Sequence, residues 1–249
     1  MGKWVQDNPV SDVWPDAASP LTLATTAQYF WVPGTSRSGV IGVELYPDAD
    51  TKVAFCPRIQ RAIVYDDSAG TYTDSASELQ DADSATGMTA SSLTSSDAIY
   101  IVTEVPILGF YVDMSASVNG TASVMTVKYW NGSWTDTSDT DGTASGGATL
   151  AQDGLVYWAA KTDETTQTLA NIASASQYAY QITFGSTLDS STVITQMTTL
   201  SRRTASQLPT WLIQGAVEKS WNIDKQKIGG FQVVSVSGTP NLEIHWIDY

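Results

Sequence analysis

The 249-residue chain holds one cysteine, one histidine and only 12 basic residues, and each scarcity removes a class of chemistry. With Cys56 alone, no intramolecular disulfide can form, which predicts folding in a reducing compartment with a buried apolar thiol in Ala54-Phe55-Cys56-Pro57. Metal sites built from imidazole and thiolate need more than His245 and Cys56. No apolar run approaches the roughly 20 residues of a membrane span, and Met1-Gly2-Lys3-Trp4 opens no signal-peptide core. Cytoplasmic synthesis without a membrane partner is therefore expected. Ser145-Gly146-Gly147 lacks the lysine and helix of a phosphate loop, so nucleotide binding has no support.

Against the 12 bases stand 26 acids, for a formal charge of -14. Between Asp66 and Asp153 thirteen acids face a single base, Lys128, a field that repels phosphate backbones and argues against a nucleic-acid partner. A solubilising negative surface is the simplest use of such a charge.

Sustained helical periodicity is missing too, whereas Ser, Thr, Gly and aromatic residues abound and several segments alternate at period two. The pattern predicts an all-β protein. Strands are expected at Tyr29–Val32, Val40–Leu45, Ala62–Tyr65, Ala98–Val102, Ile107–Val112, Ala122–Trp130, Gly154–Trp158, Tyr178–Phe184 and Val193–Met197. Short strands about Trp211, Trp221, Phe231 and Ile244 are expected to follow. Asn119-Gly120 and Asn131-Gly132 suit tight reversals, which predicts an antiparallel meander; both also read as glycosylation sequons, but a chain outside the secretory route has no enzyme to use them. The Ser/Thr/Asp-rich stretch from Asp66 to Asp97 reads as a long surface excursion, and 166–174 is the one candidate for a short helix.

Candidate chemistry is thin. His245 lies in the alternating Glu243-Ile244-His245-Trp246-Ile247, where a half-exposed strand histidine is the expectation, and Cys56 has no activating neighbour in sequence. The cluster Asp136, Asp139 and Asp141 is the one calcium candidate. Its register fails for an EF-hand, because the twelfth residue is Gly147 counted from Asp136 and Leu150 counted from Asp139, so a solvated turn without cofactor is expected. Carboxylate pairs such as Asp66-Asp67 and Asp81 with Asp83 could serve a glycosidase, but 26 acids generate such pairs by chance.

One long pattern is distinctive. Val127-Lys128-Tyr129-Trp130-Asn131-Gly132-Ser133-Trp134 leads to Asp141-Gly142-Thr143, then to Leu150-Ala151-Gln152-Asp153-Gly154-Leu155-Val156-Tyr157-Trp158, and finally to Tyr178-Ala179-Tyr180-Gln181-Ile182. This order resembles the β-sandwich, jelly-roll-like modules of tailed-bacteriophage virion proteins, over about residues 65–190. It departs from them where Ala159-Ala160-Lys161-Thr162-Asp163-Glu164 replaces a proline-containing segment with a further tryptophan, and no functional residue is carried over.

The resemblance implies a non-catalytic structural component of the virion (head decoration, neck, tail or baseplate) whose partners are itself and other virion proteins. The domain expectation is an extended arm over 1–25, a smaller β layer from 26–65 with 201–249, and the sandwich over 66–200. Tyr129, Trp130, Trp134 and Trp158 are expected inside the sandwich. Trp4, Trp14, Trp31, Trp211 and Trp246 lie outside it and are the candidates for contacts between subunits. The alternative is a carbohydrate- or receptor-binding sandwich taking a host surface glycan, which needs two or three exposed aromatics in one plane.

Overall fold

The computed structural model describes residues 21–22, 28–31, 40–80, 85–114, 116–173, 175–201, 211–214, 217–224 and 227–248. These residues contain no helix and form nineteen strands, so the chain is all-β. The first four are β1 (Leu21–Thr22), β2 (Gln28–Trp31), β3 (Val40–Pro47) and β4 (Thr51–Pro57). Next come β5 (Arg61–Asp66), β6 (Thr71–Asp74), β7 (Met88–Thr89), β8 (Ala98–Thr103), β9 (Ile107–Met114) and β10 (Met125–Trp130). They are followed by β11 (Trp134–Asp136), β12 (Thr140–Asp141), β13 (Gly154–Tyr157), β14 (Tyr178–Phe184) and β15 (Val193–Ser201). The last are β16 (Trp211–Ile213), β17 (Lys219–Asp224), β18 (Ile228–Ser235) and β19 (Asn241–Asp248).

The strands divide between two compact units, β5 to β15 in one and the N- and C-terminal strands in the other. In the larger unit a six-stranded sheet, β11-β10-β14-β8-β5-β6, packs against a five-stranded one, β12-β13-β9-β15-β7, and its strand pairs are antiparallel. Period-two alternation sends Met125, Val127 and Tyr129 of β10 inward and Thr126, Lys128 and Trp130 outward. Their cross-strand partners Phe184, Ile182 and Tyr180 enter the same core. Phe110, Val112, Val156, Ile194 and Met197 meet them from the opposite sheet, making a sandwich. Phe110 is fully buried, and its ring meets Trp158 edge-on at 5.9 Å.

The smaller unit repeats the principle with two four-stranded sheets, β1-β19-β3-β17 and β16-β4-β18-β2. Val43, Leu45, Val53, Phe231, Val233, Leu242 and Ile244 share one core, into which Phe55 turns against Trp221 and Phe231.

Three expectations about local chain path fail, each for a physical reason. Asn119-Gly120 is not a hairpin turn, because β9 belongs to the five-stranded sheet and β10 to the six-stranded one; the chain crosses the sandwich there. The described residues of 66–97 are more than a surface excursion: they hold β6, exposed along its length, and β7, and insert Leu79, Met88, Ala90 and Leu93 into the core. No helix forms at 167–173, where Gln167 bridges Gln177, Asn171 takes φ 67° and the Arg61 guanidinium donates to the Ile172 carbonyl at 2.9 Å. That segment lays Ile172 and Ala173 on Ile63, Tyr100 and Val102, covering part of the outer face of the six-stranded sheet.

Deleting the Phe110 ring leaves a cavity beside Trp158. Phe110→Ala is expected to lower the unfolding free energy by about 3–5 kcal/mol, read as a lower midpoint in urea.

Candidate functional site

The patterned residues of the larger unit are built into its architecture. Trp130 and Trp134 pair across the reversal at 131–133, where Gly132 takes φ 105°, and their rings meet edge-on at 5.2 Å. They are half-buried on the outer face, where Trp134 leans on Tyr100, and not in the core expected for them. Tyr129 and Trp158 are in the core. The Tyr129 hydroxyl donates to Asp163 at 3.0 Å and Asn131 Nδ2 donates to the same carboxylate at 2.9 Å, bonds that hold Asp163 below the usual carboxylate range. Tyr180 stacks obliquely on Trp158, and its hydroxyl accepts the buried Ile107 N–H at 2.9 Å.

The Asp141-Gly142-Thr143 turn has an equally structural explanation. Asp141 accepts from Thr143 N at 2.8 Å and from the hydroxyls of Thr143 and Thr149 at 2.6 Å each, and both threonines are fully buried. Gly142 and Gly154 are glycines because their backbones touch: a Cβ on Gly154 would meet the Gly142 carbonyl oxygen at 2.3 Å. Asn119 is a fully buried hub. Its Nδ2 donates to the carbonyls of Thr121 and Thr149 at 2.9 Å, and its Oδ1 accepts Thr121 N at 3.1 Å and Asp189 N at 3.0 Å. Asp189 in turn accepts from Gly120 N at 2.6 Å and from the Thr121 hydroxyl at 3.0 Å.

The calcium candidates accept hydrogen bonds from their own loops and strands. Asp136 accepts Ser138 N at 2.6 Å, Asp139 accepts Val127 N at 2.9 Å, and Asp141 is held as above. Among the described residues no three Asp, Glu, His or Cys side chains are grouped to hold a metal ion. Asp66 accepts the Ser68 hydroxyl at 2.7 Å and Ala69 N at 3.0 Å, which lower its pKa, whereas Asp67 accepts the Tyr65 hydroxyl, so the pair does not act on a common point. Asp81 and Asp83 lie outside the described residues. Burial pushes the Cys56 thiol up to about 12, so it stays protonated and unreactive.

Trp4 and Trp14 lie outside the described residues. Trp31 and Trp211 sit in strands at registers opposite Gly230 and Val53; Trp246 faces Val43 in register, and His245 faces Glu44.

Two features of the larger unit were not foreseen. The first is a cleft of about 360 Å³ at the sandwich edge. Val64 and Asp66 of β5, with Thr71 and Thr73 of β6, supply one side, and Thr89, Ser91, Ser92, Leu93 and Thr94 supply the other. Buried Asp97 closes it by accepting Asp67 N at 2.8 Å and the amide and hydroxyl of Thr94 at 2.7 and 2.9 Å. Its signal is the alternation Thr71-Tyr72-Thr73, which puts two hydroxyls on one face and a tyrosine on the other. That tyrosine stacks on Tyr65, with ring centres 4.6 Å apart and planes tilted 34°, and is 40% exposed. The second is the half-buried Asp113, whose pKa is raised by burial and then by the nearby charge of Asp153.

No family model, curated protein or solved structure matches this chain.

Removing the Asn119 amide leaves buried carbonyl and N–H groups of three loops without partners. Asn119→Ala is expected to cost about 3 kcal/mol of stability in urea unfolding. A raised folded-state pKa means that the ionised Asp113 carboxylate opposes folding; this cost is absent below the ordinary value of 3.8 and complete above the raised one. Asp113→Asn is therefore expected to raise the Tm at neutral pH and to lose that advantage as the pH falls towards 3.8.

Proposed function

We propose that this chain is a non-catalytic structural component of a tailed-phage virion, holding neighbouring subunits through oligomeric contacts, with a jelly-roll-like sandwich as its rigid body. One observation carries the reading. The residues of the pattern that resembles virion modules, from Tyr129 and Trp134 through Asp141, Gly142 and Gly154 to Trp158 and Tyr180, are committed to packing, close backbone contact or loop hydrogen bonds. Asp66, Asp97, Asp141, Asp163 and Asp189 each accept two or more hydrogen bonds within the fold, a use of carboxylates that fits a structural role. Exposed Leu212, Val217 and Val236 of the smaller unit supply apolar surface for neighbours under this reading.

A second reading, a carbohydrate- or receptor-binding sandwich, is favoured by the stacked Tyr65 and Tyr72 at the edge of the six-stranded sheet. On a glycan array it predicts specific binding by an isolated monomer, lost in Tyr72→Ala.

The structural reading is tested by native mass measurement of the full chain, with electron microscopy of phage particles made with and without it. Closed oligomers, and particles that lack a defined density when the chain is missing, are expected. A monomer that leaves particle structure unchanged overturns the proposal.

A further inference from the structure

We infer that the cleft at the edge of the larger sandwich is a binding site for a single neutral saccharide unit. The site goes beyond the structural role and stands independently of it, since a rigid virion subunit can carry a sugar site. Its volume, about 360 Å³, lies at the small end of the range of about 300–1,000 Å³ for small-molecule sites and suits one sugar ring.

The walls match that ligand chemically. Val64, packed on the core, and buried Leu93 give the cleft an apolar patch on which the C–H face of a sugar can rest. Around it the hydroxyls of Thr71, Thr73 and Thr89 are exposed and have no protein partner among the described residues, in contrast to Thr94, whose hydroxyl is bound to Asp97. A hydroxyl donates and accepts by turns, so three of them can follow a vicinal diol without leaving a donor facing a donor. Asp66 adds an acceptor at the rim: its Oδ1 takes Ser68 and Ala69. Its negative charge, in a region where thirteen acids face one base, turns away anionic sugars, phosphates and carboxylates and leaves a neutral ring as the favoured guest.

The two sides of the cleft are also held in place without the ligand. Asp97 binds the Asp67 amide on the β5–β6 side and Thr94 on the opposite side, so a sugar would meet a cleft already formed.

The test is a titration of the full chain with the methyl glycosides of glucose, galactose, mannose and N-acetylglucosamine, followed by amide chemical shifts. At least one glycoside is expected to move the amides of 64–73 and 89–94, glucuronic acid to move them less, and Thr73→Val/Thr89→Val to weaken binding roughly tenfold. Valine suits both strand positions, and unchanged shifts elsewhere establish that the variant is folded; Thr71→Val serves in its place if it is not. Tyr72→Ala, on the opposite face of β6, is expected to bind the glycoside as the parent does. The proposal is overturned if none of the four glycosides moves these amides, if the threonine variants bind undiminished, or if Tyr72→Ala abolishes the response, which would place the sugar on the outer tyrosines.

Discussion

The larger sandwich depends on satisfying buried backbone where the chain is not in a strand. A chain that crosses from one sheet to the other must carry peptide groups through the end of the core, and each unpaired group there costs as much as a lost hydrogen bond. Side chains supply the missing partners. Asn119, Asp141 and Asp189 together bind the loops at 117–124, 141–150 and 186–192, giving irregular segments the connectivity that ladders give the strands. Leu150, fully buried at φ 55°, is kept in this unusual conformation by the same arrangement, its amide donating to the Thr143 hydroxyl at 2.9 Å.

This constraint joins composition to the proposed role. With 26 acids against 12 bases, ion pairs cannot neutralise most of the carboxylates; Arg61 with Asp74 and Lys227 with Asp224 are two such pairs. Asp and Asn instead accept from backbone amides and threonine hydroxyls, a use that rigidifies loops. Loops bound in this way, broad aromatic packing and a second core from the terminal strands are compatible with the structural role proposed above. The larger sandwich also carries a small polar recess, the cleft beside β6.

The β character of the chain was legible because alternation at 125–130 and 178–184 reports a half-buried sheet directly. The reversal at Asn131-Gly132 was legible for a related reason, since local turn chemistry decides it. Asn119-Gly120 carries the same dipeptide and does the opposite, because its asparagine is claimed by loops 30 and 70 residues away that no local pattern reveals. Residues 66–97 misled through their small polar composition; four well-spaced apolar side chains, Leu79, Met88, Ala90 and Leu93, suffice to anchor them. The alternation at Thr71-Tyr72-Thr73 marks one wall of the cleft, but the other wall comes from across the Ser/Thr-rich stretch itself, and only sheet packing sets Thr73 and Thr89 about one recess.

Native-state amide hydrogen exchange at Thr121, Thr143, Leu150 and Asp189 tests the central claim most directly, since each of these amides donates to a side-chain acceptor in the loops. If side chains hold the crossings as firmly as ladders hold strands, these amides exchange only with global unfolding, at the free energy measured for β8 and β14. Exchange through local opening, with the strands still protected, would contradict the account.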